Sequence, residues 1–309
     1  MRDERGAWAL DVLTLNVGAA AFDRAEGILG WLELRPADVL VLTETSAGTG
    51  TSLLIRRLLK QGFEVTWQHP GADRGALIAT RSPNVKDLTD LVASTMPWRS
   101  PAVQLETDDG PLAIVGVYAP SRDRRNGRAA QKREFLESLA SGLAALAERL
   151  QGRLLLLGDH NTVPRDHIPQ HSGFTSWEYQ WHHDLLKLGL RNVHALSEAK
   201  QPHSWIGRTG NAYLYDYVHL GEALHGRLGG FTYLHTPRQA GLSDHAAVTA
   251  TITARSKDAA AAAGVVNQVA PRSGWQAGDP CGACGSPNTH GYAGNAGCRS
   301  CHAHDMDGS

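Results

Sequence analysis

The stretch "LLLLGDHNTVP" (154–164) drives four leucines through a glycine into Asp159, His160 and Asn161, with a proline soon after. A run this apolar reads as a strand buried on both faces, and the polar triplet then stands where that strand leaves its sheet. Layered α/β folds place their ligands at such strand ends, but Gly, Asp, Asn and Pro also build ordinary turns. The stretch alone leaves both readings open.

Further strand-length apolar runs flank it: "DVLTLNV" (11–17), "DVLVLTET" (38–45), "GALIATR" (75–81), "LAIVGVYAP" (112–120), "LYDYVHL" (214–220) and "HAAVTATI" (245–252). Helix-period segments lie between several of them, at 22–34, 51–62, 129–150 and 177–190. The expected fold class is α/β: two packed β-sheets flanked by helices, a four-layer α/β sandwich, over residues 1–254. Residues 255–275, rich in Ala, Gly and small polar side chains, read as a linker, with a short helix as the alternative. Residues 276–309 form a separate cysteine-bearing unit.

The chain has 309 residues and a net charge of −1, so no global basic field marks a nucleic-acid partner and any such site must be local. No run approaches the ~18 to 20 apolar residues of a membrane span. "MRDERGAWAL" lacks a secretory h-region of ~7 to 15 residues, and a cytoplasmic protein with no membrane partner is the expectation. All four cysteines fall between Cys281 and Cys301. Such clustering points to a bound metal, since a disulfide framework would spread through a small secreted domain.

The strand ends share a chemistry. Asn16 closes the first run, Glu44 the second, Tyr118 a later one, and Asp159 and Asn161 the next. Asp216 lies within "LYDYV", and "LSDHAAV" sets Asp244 and His245 before the last strand. Hard oxygen ligands that hold Mg²⁺ or Mn²⁺, a carboxylate to activate water, and amide and imidazole donors for phosphate oxygens are what metal-assisted phosphate-ester hydrolysis requires. Singly, Asn16 reads equally as a turn cap, Tyr118 as core and His245 as a satisfied histidine.

Together the motifs resemble the endonuclease/exonuclease/phosphatase superfamily. "LNV" is similar to its Leu-Asn-x element, "LTET" to its metal-binding glutamate, "GDHN" to its Gly-Asp-x-Asn and "LSDHAAV" to its closing Ser-Asp-His, over about residues 10–252. The resemblance implies that Glu44 ligates Mg²⁺ with support from Asn16 and Asp244. It implies that Asp159 orients or deprotonates the attacking water and that Asn161 holds this water and a phosphoryl oxygen. His245, held by Asp216, would donate to the scissile phosphate, and Tyr118 would touch the phosphate or the leaving oxygen.

"GVYAPS", "GDHNTVPRDH", "FTSWEYQWHHDLLKLGLRNV" and "HSW" look like the exonuclease III and abasic-endonuclease branch, which implies a DNA substrate. Trp205 would then line a sugar pocket or stack on a base, with core packing as the plain alternative. Three departures stand out: Gly18 where a second acid often follows, Ser121 for an asparagine, and Leu214 for the arginine of Arg-x-Asp, which removes one cation. The run "SRDRRNGRAAQKR" (121–133) offers Arg122, Arg124, Arg125 and Arg128 to a phosphate backbone, or a merely solvated basic face.

In the tail, Cys281-x₂-Cys284-x₁₃-Cys298-x₂-Cys301 has the spacing of a four-thiolate Zn²⁺ ribbon, with iron as the rival metal and a nucleic acid or protein as its partner. The expected activity is a Mg²⁺-dependent DNA phosphodiesterase. A phosphatase for a small phosphorylated molecule and a non-catalytic binding module are the alternatives.

Overall fold

A computed structural model describes residues 8–121, 127–171, 173–197, 199–207 and 210–254, with the backbone of 289–292 and 295–298. The chain divides into two units, Met1–Ala254 and Arg255–Ser309. The first opens with β1 (Ala9–Asn16), α1 (Phe22–Glu33), β2 (Val39–Thr45), α2 (Thr49–Lys60), β3 (Glu64–Trp67) and β4 (Gly75–Thr80). There follow β5 (Val85–Asp87), α3 (Thr89–Val92), β6 (Ala102–Thr107), β7 (Gly110–Tyr118), α4 (Arg128–Arg149), β8 (Leu154–Asp159) and α5 (Ser176–Lys187). It closes with β9 (Arg191–Asn192), α6 (Val193–Leu196), β10 (Trp205–Ile206), β11 (Ala212–Tyr213), β12 (Asp216–Leu220), β13 (Leu228–Leu234), α7 (Thr236–Gln239) and β14 (Ala247–Thr253). In the second unit, β15 (Thr289–Tyr292) and β16 (Asn295–Cys298) form an antiparallel hairpin.

Two six-stranded sheets result, ordered β13-β14-β1-β2-β4-β3 and β5-β6-β7-β8-β12-β9. Leu10, Val12, Val41, Ile78, Ile114, Leu155, Leu157, Val218 and Val248 fill the space between the sheets. A second cluster packs the outer face of the first sheet against α1 and α2 through Leu13, Leu42, Ile28 and Leu54. A third packs the other sheet against α4 and α5 through Val115, Leu156, Leu139 and Leu185. The four-layer α/β sandwich is therefore present. The leucines of β8 are buried on both faces, as their unbroken run requires.

Strand direction gathers the polar ends. β1 runs parallel to β2, and β7 parallel to β8, each pair joined by a helix. β12 and β14 run antiparallel to β8 and β1, so their first residues lie where those strands finish. The register sets Tyr118 beside Asp159 and Asp159 beside Asp216 across three adjacent strands. Gly158 permits this register: its φ is +138°, and a Cβ there would stand 2.0 Å from the Val117 carbonyl oxygen. The glycine of the opening stretch is thus a close-approach residue rather than a turn former.

Several strands escape the apolar pattern. β13, with two glycines and a register shift between Leu228 and Gly230, is a half-covered edge. β3 and β5 are short edges with mixed exposure. Such strands carry little hydrophobic signal because one face meets water.

Behind Asp159 lies a buried histidine cluster. The His160 ring is 5.0 Å from His219, 6.1 Å from His182 and 4.9 Å from Tyr217. Trp181 Nε1 donates to His160 Nδ1 at 3.0 Å, which leaves the proton on Nε2. That Nε2 and His219 Nδ1 have no hydrogen-bond partner among the described residues. Burial, and for His160 and His219 the neighbouring imidazoles, holds these rings well below the usual histidine range, and burial takes His182 down to about 3.

Two outcomes are expected. Gly158→Ala should lower stability by about 3 kcal/mol or more in urea unfolding, because neither β7 nor β8 can retreat from the added methyl. The histidine cluster should make the fold acid-sensitive. Above pH ~6.5 the rings are neutral whether folded or unfolded; as pH falls below that value only the unfolded chain takes up protons, so stability is lost from pH ~6.5 downward. His219→Phe should reduce the drop in urea midpoint between pH 7 and pH 5 relative to wild type, whereas an unchanged drop would place the acid sensitivity elsewhere.

Candidate active site

Glu44 is the penultimate residue of β2, where the pairing with β4 shifts between Thr43 and Thr45 and the backbone turns to φ +55°. A bulge at a strand end re-aims a side chain, and here it turns the carboxylate out of the strand alternation. Arg74, just before β4, forms an ion pair with Glu44 Oε2. Its neighbour Asp73 accepts hydrogen bonds from Arg99 Nε at 2.9 Å and Trp98 Nε1 at 3.1 Å. Arg99 also donates to the Tyr118 carbonyl at 3.1 Å and lies 4.5 Å from the Tyr118 ring centre. Burial, followed by the charges of Glu44 and Asp159, drives the Tyr118 phenol far above its usual range, so it stays protonated.

The acid–imidazole centre spans both sheets. His245 Nδ1 and Asp216 Oδ2 are 2.6 Å apart, with both side chains buried. Burial pulls the imidazole down, but Asp216 more than compensates, and His245 ends well above the usual histidine range. Asn16 Nδ2 donates to Asp159 Oδ2 at 3.0 Å and approaches His245 Nε2 at 3.5 Å. Asp159 Oδ1 accepts the Asn161 backbone N–H at 2.8 Å. Burial first, and then the Asp216 charge, pushes the Asp159 carboxyl up. Ser243 closes the group by donating to the Asn16 carbonyl at 2.6 Å and accepting from the His245 N–H at 3.0 Å. Arg24 straps the two loops together, donating to the carbonyls of Val17, Gly18 and Leu242 at 2.9, 2.7 and 3.0 Å. A Cβ at Gly18 would come 3.2 Å from this guanidinium, which leaves little room for an acid there.

Asn161 adopts φ +47°, which asparagine tolerates better than most residues. Its carbonyl accepts from Lys132 Nζ at 2.8 Å, and Lys132 in turn meets Glu178 Oε1 at 2.9 Å. Both partners are fully buried, so the Asn161 loop rests on an enclosed ion pair between α4 and α5. Glu178 also completes a capping box with Thr175 at the start of α5.

The residues open on a cleft of about 380 Å³ lined by Glu44, Asn161, Phe174, Trp205, Asp244 and His245, with Ser121, His171, Gly173 and Tyr215. One wall is aromatic: Trp205 stands 5.6 Å from Tyr215, and His171 stacks on Phe174 at 3.9 Å. Trp205 Nε1 donates to Asp244 Oδ2 at 3.2 Å, and the ring lines the cleft while packing against the cluster of Val163, Tyr213 and Tyr215.

Of the residues named from the sequence, Glu44, Asn161, Trp205, Asp244 and His245 line this cleft, and Asn16, Tyr118, Asp159 and Asp216 are joined to them or to one another by the contacts above. Arg128 begins α4. Arg122, Arg124 and Arg125 lie outside the described residues, as do Cys281, Cys284 and Cys301; Cys298 ends β16. Sequence reading missed Arg74, Arg99, Glu178 and Arg24, and it counted Lys132 in the basic run that would face a phosphate backbone, whereas that side chain is fully buried against Glu178. "ADRGAL" (72–77) carried the only cue to Arg74, an arginine directly before a buried strand, and such residues are common.

The donor set fits a hard divalent cation. It is rich in carboxylate and amide oxygens, and Asp216 Oδ1 is buried with no partner among the described residues. Asp159, Asp216 and His245 bring ligand atoms within 4.8 Å of one another. Glu44 and Asp244 lie outside that tight group, on the cleft wall. The crowding of like charge that raises Asp159 is what a bound cation relieves.

Several solved structures share the fold. A 3′ phosphatase, NExo, from Neisseria bound to product DNA hairpin superposes with a TM-score of 0.66 at 22% identity, covering 78% of this chain and 98% of that one. The 3′–5′ exonuclease NExo from Neisseria meningitidis gives 0.64 at 22% identity over 78% and 98%. An AP endonuclease from Archaeoglobus fulgidus gives 0.64 at 18% identity over 79% and 99%. Among curated proteins none matches the sequence. Residues 13–266 match the Endonuclease/Exonuclease/phosphatase family, and with the dyad, the bulged glutamate and the Gly-Asp-x-Asn strand end in place, the chain belongs to that family.

Proposed function

We propose that this chain is a metal-dependent phosphodiesterase that hydrolyses DNA phosphodiester bonds, of the exonuclease III or abasic-endonuclease type. The observation that carries the reading is the buried contact series Asp216–His245–Asn16–Asp159, which reaches the cleft at His245 and Asn161. A Mg²⁺ or Mn²⁺ ion held by Glu44, with Asn16 and Asp244 in support, would supply positive charge to the phosphoryl oxygens.

The side chains divide the remaining work. Asp159, fixed by Asn16 and the Asn161 N–H, takes the proton of the attacking water. His245 turns Nε2 toward the phosphate while Asp216 holds Nδ1, so the imidazolium stabilises charge as it develops. Tyr118, kept protonated, donates to the phosphate or the leaving oxygen. Trp205, Tyr215 and Phe174 offer apolar faces to a base or sugar, and Arg122, Arg124, Arg125 and Arg128 would follow the backbone. One of the fold relatives named above is described as bound to a product DNA hairpin and another as an AP endonuclease, which supports the same substrate class here.

In the tail we assign Cys281, Cys284, Cys298 and Cys301 to a Zn²⁺ ribbon, residues 276–309, that docks a nucleic acid or protein. The β15–β16 hairpin lies between the two Cys-x₂-Cys pairs, as a ribbon requires. No helix among the described residues is long and apolar enough to cross a membrane.

Labelled single-stranded, duplex and abasic DNA, beside a soluble phosphomonoester, should be cleaved only with added Mg²⁺ or Mn²⁺. Asp159→Asn and His245→Ala should each reduce turnover by roughly 10² to 10⁴ with smaller effects on DNA binding. Near-wild-type rates in both variants would remove the assignment, and hydrolysis of the phosphomonoester alone would move the substrate to small molecules. Metal analysis of the purified chain should find one zinc, absent from Cys281→Ser/Cys298→Ser; a chain without zinc would end the ribbon assignment.

A further inference from the structure

Among the described residues, the cleft wall carries no lysine or arginine. A phosphodiester is an anion, and His245 alone is a thin cationic complement for it. The arginine missing at Leu214 deepens the deficit, since that side chain is fully buried and apolar. One guanidinium nevertheless reaches the site from a different strand. Arg74 is ion-paired with the cleft glutamate Glu44 and hydrogen-bonded to the Tyr118 phenol.

The construction around Arg74 separates its anchor from its head. The preceding residue is clamped: Asp73 Oδ1 meets Arg99 Nη2 at 2.5 Å, and Asp73 Oδ2 accepts from Trp98 and Arg99. Arg99 is buried, and its second bond is to the Tyr118 carbonyl. The Arg74 side chain itself is 49% exposed, whereas Glu44 is 16% exposed. A fixed backbone thus carries a long, solvent-reaching side chain whose ion-pair partner among the described residues is a carboxylate suited to a divalent cation. A cation binding at Glu44 Oε2 meets the like charge of the guanidinium there, and an arginine pushed off this oxygen keeps its backbone beside the clamped Asp73 at the edge of the site.

We propose that Arg74 is the arginine that binds the phosphate of the substrate, and that it shares Glu44 with the metal: it holds the carboxylate before the ion binds and turns its planar fork onto phosphoryl oxygens once the ion takes Glu44. The guanidinium suits two oxygens of one phosphate at once, which an ammonium does not. Arg74 thereby restores, from the β4 side of the cleft, the positive charge that Leu214 lacks. The inference rests on the metal-dependent phosphodiesterase reading.

Two readouts test it in the full-length protein. The first is Mn²⁺ binding without DNA, by calorimetric titration with MnCl₂. Arg74→Ala removes the competitor and should bind Mn²⁺ about 3- to 10-fold tighter than wild type. The second is turnover of a labelled duplex at saturating Mn²⁺, where Arg74→Ala should lose about 10² in kcat/KM. Arg74→Lys should fall between the two, because it keeps the charge and loses the fork. Circular dichroism should show both variants folded, as expected for a half-exposed side chain.

Tighter metal binding with slower cleavage is the paired outcome that supports the proposal. Weaker Mn²⁺ binding in Arg74→Ala would mean that the arginine only organises Glu44, and unchanged cleavage would mean that it never meets the phosphate; either result overturns the proposal while wild-type activity leaves the functional reading standing. Wild type that binds no Mn²⁺ and cleaves nothing overturns that reading, and the proposal with it.

Discussion

The 2.6 Å contact between His245 and Asp216 joins the two sheets at the edge where both end. Asp216 begins β12 of one sheet, and His245 precedes β14 of the other. The Asn16–Asp159 bond makes the same crossing one strand away. The space between the sheets is filled mainly by apolar side chains, and these charged links lie at the rim, where the sandwich opens to its cleft. A buried charge pair stabilises little by itself, because desolvation consumes most of the attraction. Its value here is positional: the sheets can pack in one way only if acid and imidazole are to meet.

Around that constraint the chain accepts local strain. Glu44 and Asn161 both sit at positive φ, at a cost of about 1–3 kcal/mol each. Each is held by something outside its own strand. Arg74 grips the Glu44 carboxylate, and Lys132 grips the Asn161 carbonyl from an ion pair with no solvent access. Two residues that would relax in an isolated strand end are thereby fixed at the cleft.

The layers were legible because their signals are hydrophobic. The runs leading to Asn16, Glu44, Tyr118 and Asp159 are buried on both faces, and no other arrangement makes such runs tolerable. The site residues could be read because they end those same runs. The supporting cations could not. Arg74, Arg99, Lys132 and Arg24 are ordinary in sequence, and their importance comes from partners 30, 26, 46 and 218 positions away. Edge strands such as β13 and β3 were silent for the opposite reason, since half-exposed residues leave no clear period. Gly158 looked like part of a turn, and only the approach of Val117 reveals why nothing larger fits.

The pairing of β1 with β14 couples the beginning of the fold to its end. Ala9 lies opposite Thr253, and Leu13 opposite Thr249. Loop closure over such a span is entropically slow, and strands so distant in sequence pair late. During synthesis, the ribosome must therefore release nearly the whole first unit before β14 can bridge β1 and β13 of its sheet. His245 arrives with that last strand. A nascent or prematurely terminated chain holds Asn16, Glu44 and Asp159 without the His245 imidazole, so the cleft takes its full lining only when the first unit is whole.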